Sequence, residues 1–228
     1  MCGRFTLIAE ADRLSKVFDI SDISNCEFEP RYNIAPTQMV ATVLYNSESE
    51  RRELRSLRWG LIPSWAKDPK MGARMINARA ETLAEKPSFR SAFKRRRCLV
   101  IADGFYEWQR LETKKQPYYF HLKDKQPFAF AGLWEQWQTN DDVQINSCTI
   151  VTTEANELLQ PIHHRMPVII MDRDYEKWLD PQLQKTEVLQ ELLHPYPAEK
   201  MSAYAVSTKV NNPRHSSAEC IAPEREEN

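Results

Sequence analysis

The chain has 228 residues and a mass of 26.7 kDa, with 31 Lys+Arg against 32 Asp+Glu, a formal net charge of -1 and 42% hydrophobic residues. That is the composition of a soluble globular protein large enough to bury a substantial core. Its five glycines are too scattered for G-x-G-x-x-G or a P-loop, no apolar run reaches the ~18 residues of a membrane span, and the N-terminus lacks the apolar stretch of a signal peptide.

In chain order, Thr6 followed by Leu7, Ala11, Leu14 and Phe18 has helical spacing, with Thr6 as N-cap. Strand-like runs follow at Val40–Tyr45, Leu54–Trp59, Cys98–Ala102, Tyr118–Leu122, Phe128–Trp134, Cys148–Thr152, Val168–Met171 and Ala203–Ser207. Short helices are predicted at Ser88–Arg97, Thr153–Leu159, Asp174–Leu179 and Glu187–Leu193, the last capped by Thr186. Strands and helices do not alternate regularly. The expected fold is therefore α+β: a single domain over residues 1–228 with a curved, barrel-like, mainly antiparallel core. The tail after about residue 212, ending Glu-Arg-Glu-Glu-Asn, is expected to lack order.

Charge is unevenly spread. Residues 51–125 carry 19 basic and 8 acidic side chains, whereas the flanking segments balance at -4 and -8. A middle segment at +11 suggests a face for a polyanion, densest at Lys86, Arg90 and Lys94 to Arg97; the alternative is a solvated helix face neutralised by the acidic segments. The cysteine count is odd (Cys2, Cys26, Cys98, Cys148, Cys220), without close pairs or C-x-x-C. No disulfide scaffold or zinc site is expected, and the cytoplasm is the expected compartment.

Several residues could carry chemistry. Loss of Met1 would leave Cys2 with an α-amine and a thiol on adjacent carbons, with reference pKa values near ~7.7–8.0 and ~8.5. Such a 1,2-aminothiol condenses with an aldehyde: the amine forms an imine and the thiol closes a thiazolidine. Gly3 removes bulk beside it, and Arg4 adds a phosphate-pairing fork. If Met75–Thr82 is extended, Asn77, Arg79 and Glu81 share a face suited to orienting a carbonyl substrate beside a phosphate. Glu107 stands between aromatics, where a buried carboxylate suits general acid–base work. In Pro161–Pro167, a His two residues before Arg165 suits proton transfer and phosphate binding. Trp65, placed before Lys67 and Lys70, suits stacking on an unpaired base.

Six blocks in order resemble the SOS-response-associated peptidase (SRAP) family over nearly the whole chain. They are Met1–Phe5, Arg31–Pro36, Trp59–Pro63, Ile76–Thr82, Ala102–Trp108 and Ile162–Pro167. The resemblance implies a positively charged groove for single-stranded DNA containing abasic sites. It also implies crosslinking of an exposed N-terminal Cys to the ring-opened aldehyde of the lesion, with DNA lyase and N-terminal autoprocessing activities. By resemblance, Cys2 carries the crosslink, Asn77 positions the sugar, Glu107 handles the amine proton and His163 assists ring opening. Arg4, Trp65, Arg79, Trp108 and Arg165 would contact DNA. His164 intrudes between the family's His and Arg; the role is assigned to His163, two residues before Arg165, with His164 as the alternative. No cofactor and no metal are expected, nor a membrane partner, and the expected state is a monomer. Two rivals remain: an N-terminal-nucleophile amidotransferase, which relies on an Asn-Gly pair missing from this sequence, and a non-covalent single-stranded DNA-binding module.

Overall fold

A computed structural model describes residues 2–20, 29–139 and 143–224. The strands form two sheets. The first is a closed barrel of β3 (Met39–Asn46), β4 (Arg51–Trp59), β6 (Arg97–Ala102), β9 (Phe128–Gln138) and β10 (Gln144–Glu154). It runs β10-β4-β3-β6-β9, and pairing of β9 back onto β10 over Gln144 to Ile150 closes it. The second sheet is antiparallel, in the order β13-β8-β7-β1-β2. These strands are β1 (Phe5–Leu7), β2 (Arg31–Ile34), β7 (Gly104–Arg110), β8 (Lys115–Leu122) and β13 (Met201–Ala205). Three short strands, β5 (Asn77–Arg79), β11 (Arg165–Pro167) and β12 (Ile169–Ile170), attach to the barrel edges. With four short α-helices among the described residues, α1 (Ala11–Phe18), α2 (Arg90–Arg95), α3 (Tyr175–Leu179) and α4 (Thr186–Gln190), this is the expected α+β, barrel-containing class.

Alternation along the strands of the second sheet sends apolar side chains to a main inner core and a smaller outer cluster. Phe105 and Phe120 stack at 5.2 Å on the inner face of the second sheet, and Phe105 meets Phe130 of the barrel at 5.9 Å. Phe5 packs edge-on against Trp59 at 5.1 Å. Each of these fully buried rings contributes on the order of 1.5–3 kcal/mol. Tyr106 and Tyr119 alternate to the outer face, where a smaller cluster with Val206, Val210 and Cys220 forms. Gly60, at φ +130, has backbone conformation and space for no other residue: a Cβ there would lie 2.6 Å from the Gly72 carbonyl oxygen.

Several expectations differ from the structure. Thr186 does not cap α4 but is its first residue, the N-cap being Lys185. Thr6 is not a helix cap. It lies in β1, with its hydroxyl bonded to Asp103 and Tyr119, and α1 begins at Ala11. Thr153–Leu159 is not a helix, because β10 continues to Glu154 to pair with β11, and turns follow. The stretch after Asn211 is docked rather than loose: Cys220 is buried in the outer cluster, Val206 bridges Pro223, and Glu224 N–H donates to the Ala205 carbonyl. Residues 225–228 and Cys26 lie outside the described residues.

Candidate active site

The N-terminal segment enters the second sheet beside β7, with Phe5 opposite Phe105 and Tyr106 N–H donating to the Arg4 carbonyl at 3.0 Å. Continued by two residues, the register sets Gly3 opposite Glu107. Asp103 fixes this entry. One of its carboxylate oxygens accepts the Thr6 hydroxyl, and the other accepts the backbone N–H of Ile8 and Ala9. The segment leading to Cys2 is therefore held against β7 by pairing as far as Arg4, and by Asp103, whose role the sequence did not show.

From the barrel side, Asn77 Nδ2 donates to the Cys2 carbonyl at 2.8 Å, tying the two sheets together. The Asn77 Oδ1 atom is buried with no hydrogen-bond partner among the described residues, an uncommon state for an amide oxygen. Glu107 is buried at 3% exposure, and its charge reaches the Cys2 sulfur. Burial, first, and Glu107, second, push the Cys2 thiol well above its ordinary range, while the Arg4 backbone N–H pulls the other way. Burial thus favours the protonated thiol over the partly ionised one that its reference value suggested.

β10 arranges the remaining groups. One of its edges takes β4 and then β5, both parallel; the other takes β9 and then β11, both antiparallel. Thr152 has Arg79 on one side and Pro167 on the other. The Arg165 guanidinium reaches across this strand end to pair bidentately with Glu81, at 2.6 and 3.0 Å, and to donate to the Thr152 carbonyl. Glu81 does not share a strand face with Asn77, since β5 stops at Arg79 and a 3-10 turn begins at Ala80. The turn nevertheless delivers its carboxylate to Arg165, which holds Glu81 below its ordinary pKa.

The 161–164 loop lies beside β7, where Gln109 Nε2 donates to the Pro161 carbonyl at 3.4 Å. His163 Nδ1 lies 3.0 Å from both the N–H and the carbonyl oxygen of Arg165. The neutral Nε2–H tautomer accepts from the first and the imidazolium donates to the second, so the ring keeps its orientation in either state. His164 is exposed and stacks on His163 with centroids 4.5 Å apart. The neighbouring His163 first, then desolvation, with smaller effects of Arg165 and Arg79, lowers its pKa from the ordinary value.

The expected DNA contacts fall into two groups. Trp65 is 56% exposed, on a turn anchored by the Trp137 Nε1 bond to the Ala66 carbonyl, and Arg79 is exposed as well. Arg4 and Trp108 are tied to the rest of the protein: Arg4 bonds Asn33 and the Val210 carbonyl, and Trp108 Nε1 donates to Asn211 Oδ1 at 2.7 Å. The Lys86–Arg97 run is also split. Lys86, Arg90, Lys94 and Arg95 are exposed, whereas Arg96 pairs with Glu135 and Arg97 is buried. The Arg97 guanidinium donates to five carbonyls around the ends of α2 and α3, and burial lowers its pKa to about 10.

The family model described as SOS response associated peptidase (SRAP) matches residues 1–213. The abasic site processing protein YoqW of Bacillus subtilis is 49% identical over 97% of this chain and 99% of its own length. The abasic site processing protein HMCES of Xenopus tropicalis is 36% identical over 97% of this chain and 78% of its own. A crystal structure of a protein from Bacteroides thetaiotaomicron superposes with a TM-score of 0.86 at 29% identity, covering 98% of this chain and all of that one. A second, from Bordetella bronchiseptica, gives 0.77 at 28% identity over 90% of this chain.

Proposed function

Since the chain belongs to the SRAP family, and its curated relatives are named abasic site processing proteins, we propose that it processes abasic sites in single-stranded DNA by crosslinking to them through Cys2. The observation that carries this reading is the contact of Asn77 with Cys2 beside a buried Glu107.

Loss of Met1 frees the Cys2 α-amine. Glu107 takes a proton from the ammonium, and the amine attacks the ring-opened aldehyde carbon of the lesion. Loss of water gives the imine. The protonated thiol then adds across the C=N bond: sulfur bonds to carbon, and the thiol proton ends on the ring nitrogen. One water leaves overall, and no prior thiolate is required, in keeping with the raised thiol pKa. Asn77 Oδ1, buried and without a partner among the described residues, accepts from a sugar hydroxyl. His163, oriented by Arg165, passes a proton at the ring oxygen as the sugar opens. β-Elimination from the imine gives the lyase branch. Trp65 stacks a base, and Arg79, Arg165, Arg4 and Trp108 hold the strand, Arg165 by exchanging Glu81 for a phosphate. The protein acts as a monomer at the bacterial nucleoid, without a cofactor.

Intact mass before and after incubation with abasic single-stranded DNA tests the reading. The expected species lacks Met1 and then gains the oligonucleotide less one water. A preparation that retains Met1 and still crosslinks would overturn it.

A further inference from the structure

The block Arg31–Pro36 contains a buried amide that the chemistry above leaves unused. Asn33, in β2, is 2% exposed. Its Oδ1 accepts from Arg4 Nη1 at 2.7 Å. Its Nδ2 faces three carbonyls, of Val210 at 3.1 Å, Asn212 at 3.0 Å and His215 at 2.7 Å. A cation on one side and three acceptors on the other leave the amide a single sensible orientation. The same Arg4 guanidinium donates to the Val210 carbonyl at 2.8 Å and lies 5.9 Å over the Trp108 ring, whose Nε1 is held by Asn211.

Arg4 is two residues from Cys2, and its backbone is already fixed by Tyr106. Its side chain is the second anchor of a short segment that must present Cys2 to Asn77 and Glu107. We propose that Asn33 is the positioning residue for Cys2: acting through Arg4, it fixes the N-terminal segment, and the carbonyls of residues 210–215 orient Asn33 for that task. The catalytic consequence rests on the reading of Cys2 as nucleophile; the positional claim does not.

Two measurements separate these. The first is iodoacetamide labelling of Cys2 in the full-length protein, read by peptide mass under native conditions, which needs no DNA. Loss of a hydrogen bond to a charged group should raise labelling in Asn33→Ala by about tenfold. Arg4→Ala should give a similar rise, and the double variant no more than either alone, as expected of residues acting in series. The second is single-turnover crosslinking at saturating abasic DNA, expected to fall by about 10- to 100-fold in Asn33→Ala. If Asn33→Ala does not fold, Arg4→Ala carries the labelling test, because it removes the same contact and leaves the Asn33 amide with its three carbonyls. Unchanged labelling in Asn33→Ala, or in Arg4→Ala where that stands in for it, or multiplying effects in the double variant, would overturn the assignment. Labelling as expected with a parent protein that never crosslinks would instead remove the functional reading and leave the positional one standing.

Discussion

Replacement of Glu107 by Gln isolates proton transfer from everything else the site does. The side chain is 3% exposed, so the amide fills the same volume, and water offers little alternative as a base. General acid–base catalysis by a positioned group supplies about 10²–10⁴-fold, and a 100-fold loss corresponds to about 2.7 kcal/mol of barrier. The deficit should depend on pH. With an amine pKa near ~7.7–8.0, only a few per cent of amines are free at about pH 6.5, whereas half or more are free at about pH 8. The variant should therefore trail the parent by about 100-fold at the lower pH and close much of that gap at the higher. The thiol should respond in the opposite sense. Removing the Glu107 charge takes away one of the two causes raising the Cys2 pKa, so iodoacetamide should label the sulfur faster in the variant. Single-turnover crosslinking on denaturing gels, with anisotropy on an intact oligonucleotide to show retained binding, measures the split. Equal forward and reverse rates in parent and variant at both pH values would refute a proton-transfer role.

Three further outcomes are expected. Arg79→Ala should weaken single-stranded DNA binding and flatten the log–log salt slope by about 0.7, as loss of one phosphate contact does; an unchanged slope would remove Arg79 from the interface. Cys2→Ser should still form an imine that borohydride traps, yet give little durable adduct without reductant, because a hydroxyl closes the ring poorly. A Ser variant as durable as the parent would rule out thiazolidine closure. Stability should fall on the alkaline side. Burial raises the thiols of Cys2, Cys98 and Cys148 above an ordinary value of 9.0, so the folded state keeps protons that the unfolded chain releases. The contribution is complete below pH 9 and is lost above it at about 1.4 kcal/mol per thiol per pH unit. Melting temperatures between about pH 7.5 and 10.5 should drop once past 9, and a flat profile would contradict the burial of these groups.

The barrel strands were legible because Val40–Tyr45, Cys98–Ala102 and Phe128–Trp134 are apolar runs long enough to declare themselves. The second sheet was less so. β1 and β2 are three and four residues long, and Phe5 to Leu7 is a strand only because β7 and β2 flank it. Local propensity had no access to that. Arg97 looked like part of a cationic surface because sequence shows charge and not the five carbonyls that surround it. Among the candidate site residues, Cys2, Asn77 and Glu107 are brought together, and each lies in a block that carries the family resemblance. Asn33 and Asp103 also lay in such blocks. Their work is done on backbone groups far away in sequence, so nothing in their own neighbourhood announced it.

The arrangement around β10 also sets a timetable. The site draws on residue 2 at one extreme and Arg165 at the other, and β10 pairs with β5 and β11 only after both have been made. Folds so dominated by distant pairings assemble slowly. At about 5–20 residues per second, roughly 8–30 s separate the emergence of the N-terminus from that of β11 on the ribosome. Throughout that interval Cys2 belongs to an open chain, reachable by whatever removes Met1 and by any small aldehyde nearby, before folding packs it beside Asn77 and Glu107.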